Sequence, residues 1–150
     1  MRNKYSKNKK IITVLATVVI FSVGENVKAQ TIKIGNQLWT MKNLNVNTYR
    51  NGDTIPQVQN VDAWSNLTTG AWCYYENKTQ NGTTYGKLYN WYAVNDPRGL
   101  APTGYHIPSD AEWTTLLNFM GSDASQKLRE ENSTHWLTPK TIGTNTYGFT

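Results

Sequence analysis

The sequence is poor in cysteine, and Cys73 is the only one among its 150 residues. A single cysteine cannot form an internal disulfide, so disulfide crosslinks within this chain are excluded. Cys73 lies in the strand-like run Trp72-Cys73-Tyr74-Tyr75, where no neighbour in sequence is expected to lower the pKa of its thiol. We therefore expect a buried, unreactive thiol, and a fold stabilised by aromatic burial and backbone hydrogen bonds.

The sequence also lacks an apolar run long enough to span a bilayer. Its longest run, Ile11–Gly24, has 14 residues, whereas a membrane-spanning helix needs roughly 20. Basic residues precede this run, and Val27-Lys28-Ala29 supplies small residues at the two positions read by signal peptidase. Residues 1–29 are therefore predicted to be a signal peptide, with a mature chain that starts at Gln30; an uncleaved anchor is the alternative. No cysteine closely follows the run, which disfavours a lipid anchor.

The predicted mature chain carries no net charge. The whole chain carries +5, but residues 1–29 hold six of the 15 basic and one of the 10 acidic residues, which leaves nine of each sign. The remaining lysines are scattered, so no surface that could follow a phosphate backbone is indicated. We expect an exported protein in the periplasm, at the cell surface or outside the cell, without a nucleic-acid partner and without a membrane contact after signal cleavage.

Turn and cap signals predict short strands, hairpins and two to three helices. Gly35-Asn36 separates Thr31–Ile34 from Gln37–Thr40, which predicts a two-residue hairpin with the glycine at positive φ. Ser109 and Glu112 match a capping box that begins a helix over residues 110–120, and Gly121 is suited to end it. The apolar face of this helix is predicted to consist of Trp113, Leu116, Leu117 and Met120.

The middle of the chain is predicted to contain long loops around one strand. Residues 45–70 are rich in Asn, Asp, Gly, Thr and Gln, which favours connecting loops, and such loops often carry binding sites. Residues 71–75 are predicted to form a strand, and residues 77–84 a polar turn. Further helices are expected where apolar residues recur at helical spacing, at Leu88, Trp91 and Tyr92 before Pro97, and more weakly through Ala124, Leu128 and Glu131.

Two blocks carry a resemblance to a known family. They are Tyr85–Val94 (YGKLYNWYAV) and Gly104–Trp113 (GYHIPSDAEW). In this order and at this separation, the blocks closely resemble the Fibrobacter succinogenes major paralogous domain, a family of secreted bacterial domains. The resemblance covers about residues 32–150, and the other matching motifs are Trp39, Asn43-Leu44 and residues 70–75.

This resemblance implies an α+β, C-type lectin-like fold for residues 30–150, in a superfamily shared with formylglycine-generating enzymes. The family pattern runs on beyond the segment that Asn145–Thr150 resembles. The resemblance therefore implies a domain that is incomplete at its C-terminus, with the closing strands missing. A sheet edge left open in this way can pair with another chain.

Acidic and histidine side chains are the candidates for a metal site. His106 and His135 could bind a metal with Asp110 or Glu112, but the usual ligand spacing is absent and a hydrogen-bonded histidine is favoured. A catalytic carboxylate pair is the alternative for Asp110 and Glu112, although their position in the first turn of a helix explains both. The loop residues Asp53, Asp62 and Asp96 could instead be calcium ligands. Without an Asp-x-Asp-x-Asp run, we predict no metal site and no cofactor.

The aromatic residues offer a platform for stacking against sugars, although most of their rings are expected in the core. Trp64 is the candidate ligand-binding residue, because it lies in the polar segment 62–66 without periodic apolar partners. Partial burial of Trp64 against the domain is the alternative.

The sequence predicts a non-enzymatic binding domain for a glycan or a protein, with no catalytic residues. Pro108–Trp113 resembles the helix start of formylglycine-generating enzymes, but those enzymes use a pair of cysteines to hold copper, and this chain has one. An enzyme relative of that type is the first alternative, and a non-functional fragment of a longer surface protein is the second.

Overall fold

A computed structural model describes residues 17–18, 30–131 and 143–149. The chain forms two compact units. The first unit includes Asn45–Leu100, and the second includes Leu15–Leu44 and Ala101–Thr150. Both units mix short strands with short helices, which confirms the predicted α+β class. Among the helices of the described residues, none has the length and hydrophobicity of a membrane span.

The second unit contains a three-stranded antiparallel sheet with the order β1-β3-β2. Its strands are β1 (Thr17–Val18), β2 (Thr31–Ile34) and β3 (Gln37–Thr40). The predicted β2–β3 hairpin is confirmed, since Ile34 pairs with Gln37 and Gly35 takes a φ of 59° in the turn. β1 lies inside the predicted signal peptide and pairs with the other edge of β3, at Trp39 and Leu38.

Helix α4 (Asp110–Met120) has the predicted bounds. Its capping box is present, and Gly121 ends it at a φ of 73°. A 3₁₀ turn (Gly121–Asp123) leads into α5 (Ala124–Lys127), which is shorter than the helix predicted through Glu131. A distant segment bonds to carbonyls at and beyond the end of this helix: Thr144 N–H donates to Gln126 O and Asn145 N–H to Arg129 O, each at 2.9 Å.

The core of the second unit joins the hairpin to α4. Its buried members are Ile34, Trp39, Leu116, Met120, Ala124 and Phe149. Trp113 packs against this cluster with its ring centroid 4.7 Å from that of Trp39, as its spacing predicted. The prediction for Leu117 was wrong, since 46% of its surface is exposed. The apolar stripe of α4 follows positions i, i+3 and i+7 from Trp113 and is narrower than the sequence suggested.

The first unit consists of short elements joined by long connections. In chain order they are α1 (Val61–Asn66), β4 (Trp72–Cys73), a 3₁₀ turn (Tyr75–Asn77), α2 (Asn81–Tyr85), β5 (Leu88–Tyr89) and α3 (Trp91–Val94). Strands β4 and β5 pair antiparallel, with Trp72 opposite Tyr89. The buried apolar residues of this unit are Tyr49, Ile55, Ala71, Trp72, Tyr89, Ala93 and Leu100.

The helix predicted from the spacing of Leu88, Trp91 and Tyr92 is confirmed only in part, since α3 contains Trp91 and Tyr92 and ends before Pro97 but begins after Leu88. Leu88 belongs to β5, and the chain turns at Asn90 before α3 begins. Trp91 and Tyr92 are 52% and 44% exposed, so their spacing marks no buried face. The interruption has a tertiary cause, because the side chain of Asn90 bonds to the main chain of residues 69–71 and holds its own backbone extended.

Three further differences between the predicted and observed elements concern the first unit. Residues 45–70 are not loop throughout, because Asn60 caps α1 by accepting a hydrogen bond from Ala63 N–H at 2.8 Å. The strand predicted over 71–75 is limited to Trp72–Cys73, and the segment predicted as a polar turn contains most of α2.

Candidate functional site

The first family block, Tyr85–Val94, positions main chain in the first unit. Lys87 is 8% exposed, and its Nζ donates to Asn45 Oδ1 at 2.9 Å and to Asn45 O at 3.2 Å. The ammonium lies 4.5 Å above the Trp72 ring, and burial lowers the pKa of Lys87. Tyr89 Oη donates to Val46 O at 2.6 Å. These contacts fix residues 45–46 and assign the block a structural role.

The second block, Gly104–Trp113, builds the start of α4. Ser109 N–H donates to Glu112 Oε2 at 2.8 Å, and Glu112 N–H donates to Ser109 Oγ at 3.3 Å. His106 Nε2 lies 2.6 Å from Glu112 Oε1. Burial raises the pKa of Glu112, but hydrogen bonds from Ser109 and His106 outweigh that effect and lower it overall. Both hydrogen-bonding edges of this carboxylate are therefore occupied by the helix start.

The candidate metal ligands include one contacting pair but no set of three among the described residues. His106 contacts Glu112, whereas His135 lies outside the described residues. Asp110 occupies the first turn of α4. Across the described ranges of the chain, no three His, Cys, Asp or Glu side chains are placed to hold a metal ion.

The loop aspartates proposed for calcium are arranged around an arginine instead. Arg98 Nη2 lies 2.9 Å from Asp96 Oδ2, and Arg98 Nη1 lies 2.9 Å from Asp53 Oδ2. The guanidinium also stacks 4.0 Å from the ring centre of Tyr49. Hydrogen bonds from Arg98 lower the pKa of Asp96 to about 2. Asp62 is in the first turn of α1 and takes no part in this pairing.

Cys73 is half-buried in β4. Burial raises the pKa of its thiol, which reduces the thiolate fraction at neutral pH. The expectation of an unreactive cysteine agrees with this environment, although the side chain is less enclosed than predicted.

The first unit leaves several aromatic side chains in solvent while it buries others. Tyr75, Trp91 and Tyr92 are 49%, 52% and 44% exposed, in the unit whose Trp72 and Tyr89 are buried. Trp64, the sequence-predicted ligand-binding residue, is half-buried on α1. The sequence pointed to Trp64 but not to Tyr75, which it assigned to a strand.

Tyr75 opens a segment of unusual backbone, which we call the tyrosine turn (residues 75–85). Glu76 and Asn77 adopt consecutive left-handed conformations, with φ of 53° and 57°. The Tyr75 ring rests edge-to-face on Tyr85, with 5.5 Å between the ring centroids. Asn77 Nδ2 donates to Gln59 O and Asn81 Nδ2 to Tyr75 O, each at 2.9 Å, so one bond ties the turn to residue 59 and the other closes it internally.

The second unit has a shallow groove between the β2–β3 turn and α4. It is lined by Ile34, Gly35, Asn36, Gln37, Thr115 and Phe119. Phe119 is 55% exposed and packs over Gly35. No charged residue lines the groove, and its polar side chains are those of Asn36, Gln37 and Thr115.

Residues 32–150 match the family model of the Fibrobacter succinogenes major domain. The match covers most of the chain, and the protein belongs to that family. No curated protein and no solved structure matches this chain.

Proposed function

We propose that this protein is an exported, non-enzymatic binding module with a C-type lectin-like fold, and that it recognises glycans through exposed aromatic side chains of residues 45–100. The observation that carries the proposal is that the first unit buries some of its aromatic residues and exposes others. A small unit that buries Trp72 and Tyr89 but leaves Tyr75 and Trp91 about half exposed keeps rings available for a partner. Aromatic faces stack on the apolar side of a pyranose ring.

The contacts made by the two family blocks support binding rather than reaction chemistry. Within the family blocks, Ser109 and Glu112 cap a helix, Asn90 bridges main chain and Trp113 packs against a core. A relative of formylglycine-generating enzymes is less well supported, because the one cysteine of the chain is half-buried with a raised pKa. We infer a glycan partner rather than a protein partner, since the exposed rings stand among amide and hydroxyl side chains rather than in a broad apolar face.

A glycan array probed with the exported protein tests the proposal. We expect binding to at least one glycan class, and weaker binding after Trp64→Ala or Trp91→Ala. Phe119→Ala is the matched control, because Phe119 is as exposed as Trp91 but belongs to the second unit. Circular dichroism should show that each variant is folded. A blank array with the folded protein would overturn the proposal, and equal losses in all three variants would remove its assignment to the first unit.

A further inference from the structure

We propose that Tyr75 is the stacking platform of a site for uncharged pyranose rings, and that the polar side chains of the tyrosine turn hold the sugar hydroxyls. This inference rests on the proposed function and names the site and the ligand class. Three properties of the turn carry it: an exposed ring, a fixed backbone, and a neutral hydrogen-bonding rim.

The ring of Tyr75 is exposed but fixed in place. About half of its surface is open to solvent, and Tyr85 supports it from the side through the edge-to-face contact. A supported ring loses little conformational freedom when a ligand stacks on it, so more of the contact energy contributes to affinity. Trp91 and Tyr92, which are equally exposed, lie on the one-turn helix α3 outside this turn.

The backbone that carries Tyr75 is strained and held by hydrogen bonds. Left-handed conformations are costly for most residues with a side chain and milder for asparagine, and Glu76 and Asn77 adopt them in succession. Asn77 bonds the turn to the main chain of Gln59, and Asn81 bonds to the main chain of Tyr75 within the turn. Local strain of this kind persists only where surrounding contacts hold it, and it is common at binding sites.

The side chains around Tyr75 specify the ligand class. The exposed uncharged polar residues of the turn are Asn77, Thr79, Gln80, Thr83 and Thr84. Its two charged residues neutralise each other, because Lys78 Nζ lies 2.7 Å from Glu76 Oε2. An aromatic face with amides and hydroxyls and no net charge suits a ring that presents C–H groups on one face and hydroxyls at its edge. An anionic sugar would need a cation that is not already paired, and a protein partner would need a larger apolar area.

The test is isothermal titration calorimetry of the exported protein with cellohexaose, mannohexaose and chitohexaose as neutral probes and an oligogalacturonate as the anionic probe. We expect a neutral probe to bind, Tyr75→Ala to weaken that binding by about tenfold or more, and Tyr75→Phe to retain most of it. Phe119→Ala controls for the loss of an exposed ring elsewhere, and thermal unfolding shows whether each variant is folded. Asn81→Ala, which releases one anchor of the turn, should weaken binding less than Tyr75→Ala.

Each outcome decides the inference. Loss with Tyr75→Ala and retention with Tyr75→Phe supports it. Neutral binding that survives Tyr75→Ala but is lost in Trp64→Ala or Trp91→Ala overturns this site and leaves the proposed function standing. Binding of the oligogalacturonate alone overturns the neutral ligand class. Failure of every probe here, together with a blank glycan array, overturns both proposals.

Discussion

At the scale of single residues, the side chain of Asn90 makes three hydrogen bonds to the main chain. Its Oδ1 accepts hydrogen bonds from Ala71 N–H and Ala93 N–H, each at 3.0 Å, and its Nδ2 donates to Thr69 O at 2.8 Å. The residue is 8% exposed, so water cannot readily substitute for these partners. Asn90 thus caps α3 and ties it to the segment that precedes β4.

Asn90→Ala should destabilise the protein by about 3 kcal/mol, because it leaves buried donors without an acceptor. Asn90→Asp keeps the acceptor but removes the donor to Thr69 O, and we expect an intermediate loss. Urea unfolding of the protein gives both values. Asn95→Ala, at the exposed opposite end of α3, is the control and should change stability by less than about 0.5 kcal/mol. Equal stability of Asn90→Ala and Asn95→Ala would contradict the bridging role.

Asp96 should make stability depend on pH in the acid range. Its pKa in the folded protein is about 2, below the ordinary value of 3.8, so the unfolded chain binds more protons between these two pH values. Stability from this group is therefore complete above about pH 4 and is lost as the pH falls towards 2. Thermal unfolding between pH 5 and pH 2 should show a shallower decline for Asp96→Asn than for the parent protein.

Asp62→Asn is the control for this measurement, because Asp62 lies in the same unit but outside the Arg98 pairing. It should retain the steeper acid decline of the parent protein. Asp53 also has a pKa lowered by its hydrogen bond from Arg98, so the Asp96→Asn variant should keep part of the slope. Identical pH profiles for Asp96→Asn and the parent would contradict the assignment.

At the scale of elements, turn and cap residues correctly predicted those helices and strands whose formation depends on local interactions. The hairpin of β2 and β3 and the bounds of α4 follow from a glycine turn and a capping box, which act within a few residues. The helix expected to include Leu88, Trp91 and Tyr92 begins only at Trp91, because the side-chain bonds of Asn90 hold the preceding backbone extended. Helix α1 has no buried residue and so no apolar period to detect, although its cap Asn60 was visible in the sequence.

Cap and core contributions to α4 can be separated by substitution. Ser109→Ala should cost about 1 kcal/mol through loss of the cap. Trp113→Ala should cost more, about 3 kcal/mol, because its ring packs against Trp39 and Phe149. Leu117→Ala on the exposed face should cost less than about 1 kcal/mol. Denaturant unfolding gives the ranking, and a neutral Trp113→Ala would show that this ring does not stabilise the core.

At the scale of the whole molecule, the candidate site was harder to predict than the fold. Trp64 was selected because its sequence neighbours are polar, a criterion that cannot distinguish a half-buried helical tryptophan from an exposed one. Tyr75 was assigned to a strand because its neighbours are aromatic. The exposure of Tyr75 depends on the left-handed backbone of the two residues that follow it, Glu76 and Asn77. Neither is a glycine, so the sequence does not signal such a turn.

The predicted signal peptide leads to a testable mature sequence. Cleavage after Ala29 should give a protein whose first residue is Gln30, in some molecules cyclised to pyroglutamate. Intact-mass measurement and N-terminal sequencing of the exported protein would identify that end. Ala29→Lys, which removes the small residue next to the cut, should block processing, whereas Ser22→Ala should not. A membrane-bound product that retains residues 1–29 would contradict the prediction.

The second unit draws on two stretches of sequence, and Asn45–Leu100 of the first unit lies between them in the chain. A hydrogen bond in this unit joins Gln37 Nε2 to Glu112 O, 75 residues away. During synthesis, Ile34 and Trp39 are therefore made long before the helix that covers them, and the intervening unit can complete its local contacts first. Contacts between distant residues form slowly, and hydrophobic groups that wait for them are exposed to misassociation. The earliest strands of the described sheet thus become the last to be enclosed, and this interval is when the chain depends most on factors that keep it unfolded.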